Sequence, residues 1–108
     1  MKHHQAEFFA KFGDQEMMDK LEKNGLAEWY GAMIVHNPSA SKEQLDKVLN
    51  SENSYDRAEL ASSDFATDEH LGQLVNDPDK QVRQQAHSTI GKRLRAMRNK
   101  ELEAEYKG

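Results

Sequence analysis

A chain of 108 residues, 31% charged and with a mean hydropathy of −0.99, is one domain on length alone. No stretch approaches the ~18 apolar residues of a membrane helix, and Met1-Lys2-His3-His4-Gln5 lacks the apolar region of a secretory signal, so the expected compartment is the cytoplasm. Cysteine is absent, which removes disulfides, thiolate metal sites and cysteine nucleophiles together.

The chain is punctuated at short intervals. Ala6 to Phe12 reads as a first helical segment whose apolar residues are Phe8, Phe9 and Phe12, and Gly13 breaks it. Asp14 is the N-cap of a segment carrying Met17, Met18 and Leu21, which Asn24-Gly25 ends in the left-handed manner of a glycine C-cap. Leu26, Trp29, Tyr30, Met33 and Ile34 then fall on one continuous helical face, and Pro38 stops that helix by about His36. Ser41-Lys42-Glu43-Gln44 is a capping box ahead of Leu45, Val48 and Leu49. Thr67-Asp68-Glu69 opens a helix with Leu71, Leu74 and Val75, and Asp77-Pro78 reads as an N-cap followed by proline at the first helical position. Val82, Ala86, Ile90, Leu94 and Met97 predict a last helix from about Pro78 to at least Met97, weakened by Gly91. No segment alternates long enough to propose a strand.

Helices this short are marginal alone, so they must stack. The sequence repeats with a period of about 26: Ala40 and Ala66, Glu43 and Glu69, Leu45 and Leu71, Asn50 and Asn76, and Arg57 and Arg83 correspond, as do Ile34, Leu60 and Ala86. A degenerate copy fits one residue further out, Met18 to Leu21 lying over Leu45 to Val48. Self-similarity at this period marks units that bury their apolar faces only against neighbours.

Asn37-Pro38-Ser39-Ala40-Ser41, running on to Leu49-Asn50, and Asn76-Asp77-Pro78-Asp79 with Val82-Arg83, resemble the leucine-rich-repeat-variant and HEAT-like α-helical repeats. The resemblance covers roughly residues 27–90. It implies a tie between Asp77 and Arg83, with Ser51 and Arg57 in the equivalent places one repeat earlier and half of that pair missing. The expected fold is all-α: a short α-solenoid of about three helical repeats in one domain, 1–108. Residues 1–25 would form N-terminal cap helices, 26–79 the clearest repeats, and 80–108 a longer basic capping helix with an acidic tail. Ile34, Leu45, Leu49, Leu60, Leu71, Leu74 and Val75 are the expected core.

Chemistry is hard to place on this chain. The five histidines show no His-Glu-x-x-His spacing and read as surface residues. There is no Gly-rich phosphate loop, no Gly-x-Ser-x-Gly and no calcium loop, so no enzyme, metal or cofactor is expected. Trp29 and Tyr30 diverge by about 100° on a helix. The plain reading buries both partly between the first two repeats, and the alternative leaves one as a surface anchor.

Charge is the strongest hint. The formal net charge is −4, but residues 1–79 carry −9, residues 80–100 carry +7 and residues 101–108 carry −2. Lys92, Arg95 and Arg98 form a stripe on the last helix with Arg93 to one side, while Leu94 and Met97 would hold that helix to the stack. The expected partner-binding residues are therefore Lys92, Arg93, Arg95, Arg98, Trp29 and Tyr30. The function expected is a non-catalytic module that docks on a protein, as an adaptor, regulator or inhibitor of a larger assembly. The alternative is a nucleic-acid-associated protein that binds phosphates through residues 80–100, against which stand the acidic remainder and the lack of interleaved aromatics. A segment so polar has too small an apolar face for a membrane surface.

Overall fold

Side-chain caps set the starts of most helices. In the computed structural model, which describes residues 2–107 and the side chains of all but 105–107, the chain is helical throughout, with no strand among the described residues. The elements are α1 (His3–Phe12), α2 (Gln15–Lys23), a 3-10 turn (Ala27–Tyr30) running into α3 (Gly31–Ile34), α4 (Lys42–Leu49), α5 (Ser54–Ala61), α6 (Asp68–Leu74) and α7 (Lys80–Lys107). Asp14 accepts from the Met17 amide at the start of α2. Ser41 and Gln44 close the expected capping box on α4. Thr67 and His70 close another on α6, the histidine Nδ1 taking the place of a carboxamide oxygen. Gly25 adopts φ +69° after α2, the conformation its position requires.

Four expectations change. Residues 26–36 are not one helix but a 3-10 turn and a single α-turn, yet Leu26, Tyr30, Met33 and Ile34 still pack on one core cluster and only Trp29 turns away from it. Helix α7 begins at Lys80, because Asp79, not Asp77, caps it by accepting from the Gln81 and Val82 amides at 2.8 and 3.1 Å. Helix α5, capped by Asn53, has no counterpart in the chain-order reading, since its one large aliphatic residue is Leu60. On α1 the buried residues are Ala6 and Ala10, while Phe8 and Phe12 face solvent and lean on each other at 5.4 Å between ring centroids. Alanine lets α1 approach its neighbours closely.

The helices lie in two rows. Helices α1, α3, α5 and α7 each touch the next along one row. On the other, α2 sits on α1 and the 3-10 turn, α4 on α3 and α5, and α6 on α5 and α7. Ile34, Leu45, Leu60, Leu71 and Leu74 are buried as expected, and Leu49 and Val75 pack half-buried at the core's edge. Full burial of each such aliphatic side chain is worth ~1.5–3 kcal/mol.

Starts recur along the rows: α4 and α6 begin 26 residues apart, as do α5 and α7, and α2 begins 27 before α4. A polar ladder has the same interval. Asn37 donates to the carbonyls of Ala10 and Gly13 at 3.1 and 2.8 Å, Ser63 to that of Val35, and Thr89 to that of Ala61 at 2.6 Å. Each of these residues stands 26 after the last and satisfies an otherwise orphaned carbonyl at the end of the preceding helix in its row. Arg57 and Arg83 are equivalent too: each donates 2.7 Å to the carbonyl six residues back, at Ser51 and Asp77.

Candidate interaction surfaces

The expected Asp77–Arg83 tie is made differently. Arg83 reaches the Asp77 backbone carbonyl, leaving the Asp77 carboxylate to Arg57 on α5, which donates from Nε at 2.8 Å and from Nη2 at 3.2 Å. Burial alone would push the Asp77 carboxyl up, but the Arg57 guanidinium and the Asp79 amide hold it below its ordinary value. Both side chains of the pair are largely buried, so this is a structural bridge between α5 and the start of α7.

Nor are the histidines all at the surface. His70 is 1% exposed: its Nδ1 accepts from the Thr67 amide, which leaves Nε2 to donate to Asp46 at 2.6 Å across α4 and α6. His70 and Lys42 hold the Asp46 carboxyl below its ordinary value. Among the described residues no three of His, Asp and Glu converge as a metal-ligand set.

The basic stripe divides in two. Arg93 folds back on its own body, donating to Asp68 at 3.1 Å and to the Ser63 carbonyl at 3.2 Å. Lys92, Arg95 and Arg98 point to solvent. Leu94 and Met97 do not hold α7 to the stack, for they are 60% and 61% exposed. From Leu94 to Ala104 every residue is exposed, a free stretch of helix about 16 Å long that also carries Leu102. At 100° per residue, Met97, Leu94 and Leu102 fall within an arc of about 140° that also holds Arg98 and Glu101, and Arg95 and Lys92 flank it on one side. Of the acidic tail, Glu101 and Glu103 are exposed, and the side chains of Glu105 and Lys107 and all of Gly108 lie outside the described residues.

Trp29 and Tyr30 also part company. Trp29 is 76% exposed, against the plain reading, and Tyr30 packs beside Ala6 and Ile34 with its hydroxyl 2.7 Å from His3 Nδ1. The 3-10 turn rotates neighbours still further apart than an α-helix does.

A groove missed by sequence reasoning opens between the Ala27–Gly31 segment and the α4–α5 corner, with a volume of about 780 Å³. Its acids are Glu22, Glu28, Asp46, Glu52 and Asp56, with Lys47 the one base. Lys47 pairs with Glu22 at 3.3 Å and Asp46 is held by Lys42 and His70. Glu28, Glu52 and Asp56 have no cationic partner among the described residues. Burial pushes the Asp56 carboxyl above its ordinary value, with Ser51 pulling it down and Glu59 pushing it up. Gln44 also lines the groove: it is 5% exposed, its Oε1 accepts from the Ser41 amide, and its Nε2 has no acceptor. A buried donor left so costs about 1–3 kcal/mol. The acids come from α2, the 3-10 turn, α4, the loop after it and α5, so no local motif announces them.

No helix among the described residues is long and apolar enough to cross a membrane. No protein-family model, curated protein or solved structure matches the chain.

Proposed function

We propose that this chain is a small helical-repeat module of the leucine-rich-repeat-variant or HEAT-like kind, without catalysis, that docks on another protein through the free stretch of α7. The repeat reading is supported by the 26-residue spacing of helix starts, of the two capping boxes and of the Asn37, Ser63 and Thr89 ladder. In that reading α7 belongs to the last unit, and its continuation past Arg93 runs beyond the helices that would cover it.

The docking reading rests on one observation: Leu94, Met97 and Leu102 are exposed together beside Lys92, Arg95 and Arg98. Such a face suits an acidic amphipathic segment, whose apolar side covers the three residues while its carboxylates meet the arginines. Burial of each apolar side chain at an interface is worth up to ~1.5–3 kcal/mol before ordering costs are subtracted. Phosphates would use the bases and leave the apolar residues wet, so the nucleic-acid reading ranks second.

The test is capture from lysate on the immobilised chain, with and without nuclease, beside a Leu94→Ser/Met97→Ser variant. A protein retained after nuclease and lost from the variant supports docking through α7. Loss of the captured material on nuclease treatment supports the second reading.

A further inference from the structure

The apolar arc on the free stretch of α7 is not free of charge. Arg98 and Glu101 lie inside it, between Met97 and Leu102, and both are exposed. They stand three residues apart, yet neither makes an ion pair among the described residues. Whatever covers Leu94, Met97 and Leu102 therefore also covers one base and one acid, and a charge buried without its partner is costly. A covering helix must present an acid to Arg98 and a base to Glu101. The same helix of a second copy carries both. Laid parallel, it would set Arg98 on Arg98 and Glu101 on Glu101. Laid antiparallel about a two-fold axis that crosses between Asn99 and Lys100, it brings Arg98 of each copy level with Glu101 of the other. The 140° arc then puts the two Met97 side chains on one flank of the seam and the two Leu102 side chains on the other.

We propose that a second copy of this chain is an occupant of this face: two free stretches of α7 pair antiparallel, with Arg98 of each meeting Glu101 of the other in a seam lined by Leu94, Met97 and Leu102. This rests on the reading of that face as a docking surface and adds what covers it when no other protein does. Helical stretches about 16 Å long cover well under the ~1,200 Å² of a standard interface, so the dimer is weak, with a Kd on the order of 100 μM, and yields the face to a tighter partner.

The experiment is sedimentation equilibrium of the full chain at low salt, from about 10 μM to about 1 mM so as to bracket that Kd. The parent is expected to pass from monomer to dimer as concentration rises. Arg98→Glu sets acid on acid in the seam and Glu101→Arg sets base on base, so each should weaken the dimer about tenfold or more. The combined Arg98→Glu/Glu101→Arg variant exchanges the pair and should dimerise about as well as the parent. These side chains are exposed, so the fold is kept throughout. Leu94→Ser/Met97→Ser should stay monomeric. The proposal is overturned if the parent is monomeric at the highest concentration, if the exchanged variant is as weak as the single ones, or if the serine variant still dimerises. A monomeric parent that captures a protein through Leu94 and Met97 removes the second copy and leaves docking on another protein standing. A dimer with the expected variant pattern and no captured protein upholds the second copy and removes that docking.

Discussion

Asp77→Ala is expected to destabilise the fold by about 3–5 kcal/mol, a large share of the ~5–15 kcal/mol that holds a small domain together. Asp77 is 8% exposed and accepts two bonds from Arg57, at 2.8 and 3.2 Å, and one from the Asp79 amide at 2.9 Å. Removing the carboxylate leaves a mostly buried guanidinium whose remaining partner is the Ser51 carbonyl at 2.7 Å. Arg83 bonds backbone carbonyls at Asp77 and Pro78, which survive the substitution. Two double-mutant cycles therefore separate the arginines. Asp77 and Arg57 should couple toward the top of the ~0.5–3 kcal/mol range, and Asp77 and Arg83 toward the bottom. Urea unfolding followed by far-ultraviolet circular dichroism reads both, with unchanged m values as the check that compactness is the same. Additivity of Asp77 and Arg57, or stronger coupling of Asp77 to Arg83, would refute the bridge between α5 and α7.

Leu71→Ala should cost about 2–5 kcal/mol by opening a cavity among Leu45, Leu74 and Val82, read from the urea midpoint. Asn37→Ala removes both donors to the Ala10 and Gly13 carbonyls and should cost about 2–3 kcal/mol, with Asn37→Ser, the residue found at position 63, recovering part of it. Asp77 has a depressed folded-state pKa, so its stabilisation is full above the unfolded value of about 3.9 and is lost as pH falls through the folded one; Asp77→Asn should flatten that acid limb. Asp56 has the opposite sign. Its raised pKa favours the fold below about pH 3.9 and counts against it as pH rises through the folded value, so Asp56→Asn should melt higher than the parent near neutral pH and lose that advantage in acid.

What could be read in advance was local. Asp14, Ser41 and Thr67 announce helix starts because a cap and the amides it serves lie within three residues of each other. The 26-residue period likewise picked out Leu60 as core although α5 itself has too little apolar content to be seen. Tertiary facts were not legible. Arg57 pairs with a carboxylate 20 residues on, whereas its spacing to Ser51 discloses only the backbone bond. Val82, Ala86, Ile90, Leu94 and Met97 keep one period, yet burial ends after Ile90 because periodicity records which way a side chain points and not where the neighbouring helices stop. Arg93 looked like its exposed neighbours until α6 and the loop before it came alongside. The groove acids are spread from Glu22 to Asp56, and only the tertiary packing of α2, the 3-10 turn, α4 and α5 gathers them.

The most direct measurement is the association rate of the captured protein partner with the Arg95→Glu/Arg98→Glu variant, beside the parent chain. Both side chains stand clear of the body, so the thermal midpoint should stay within a few degrees. Association should slow about tenfold or more at low salt and the gap should close as salt rises, since exposed charges act chiefly on encounter. Unchanged association at every salt concentration would contradict docking through α7 and reduce its basic stripe to a solvated face.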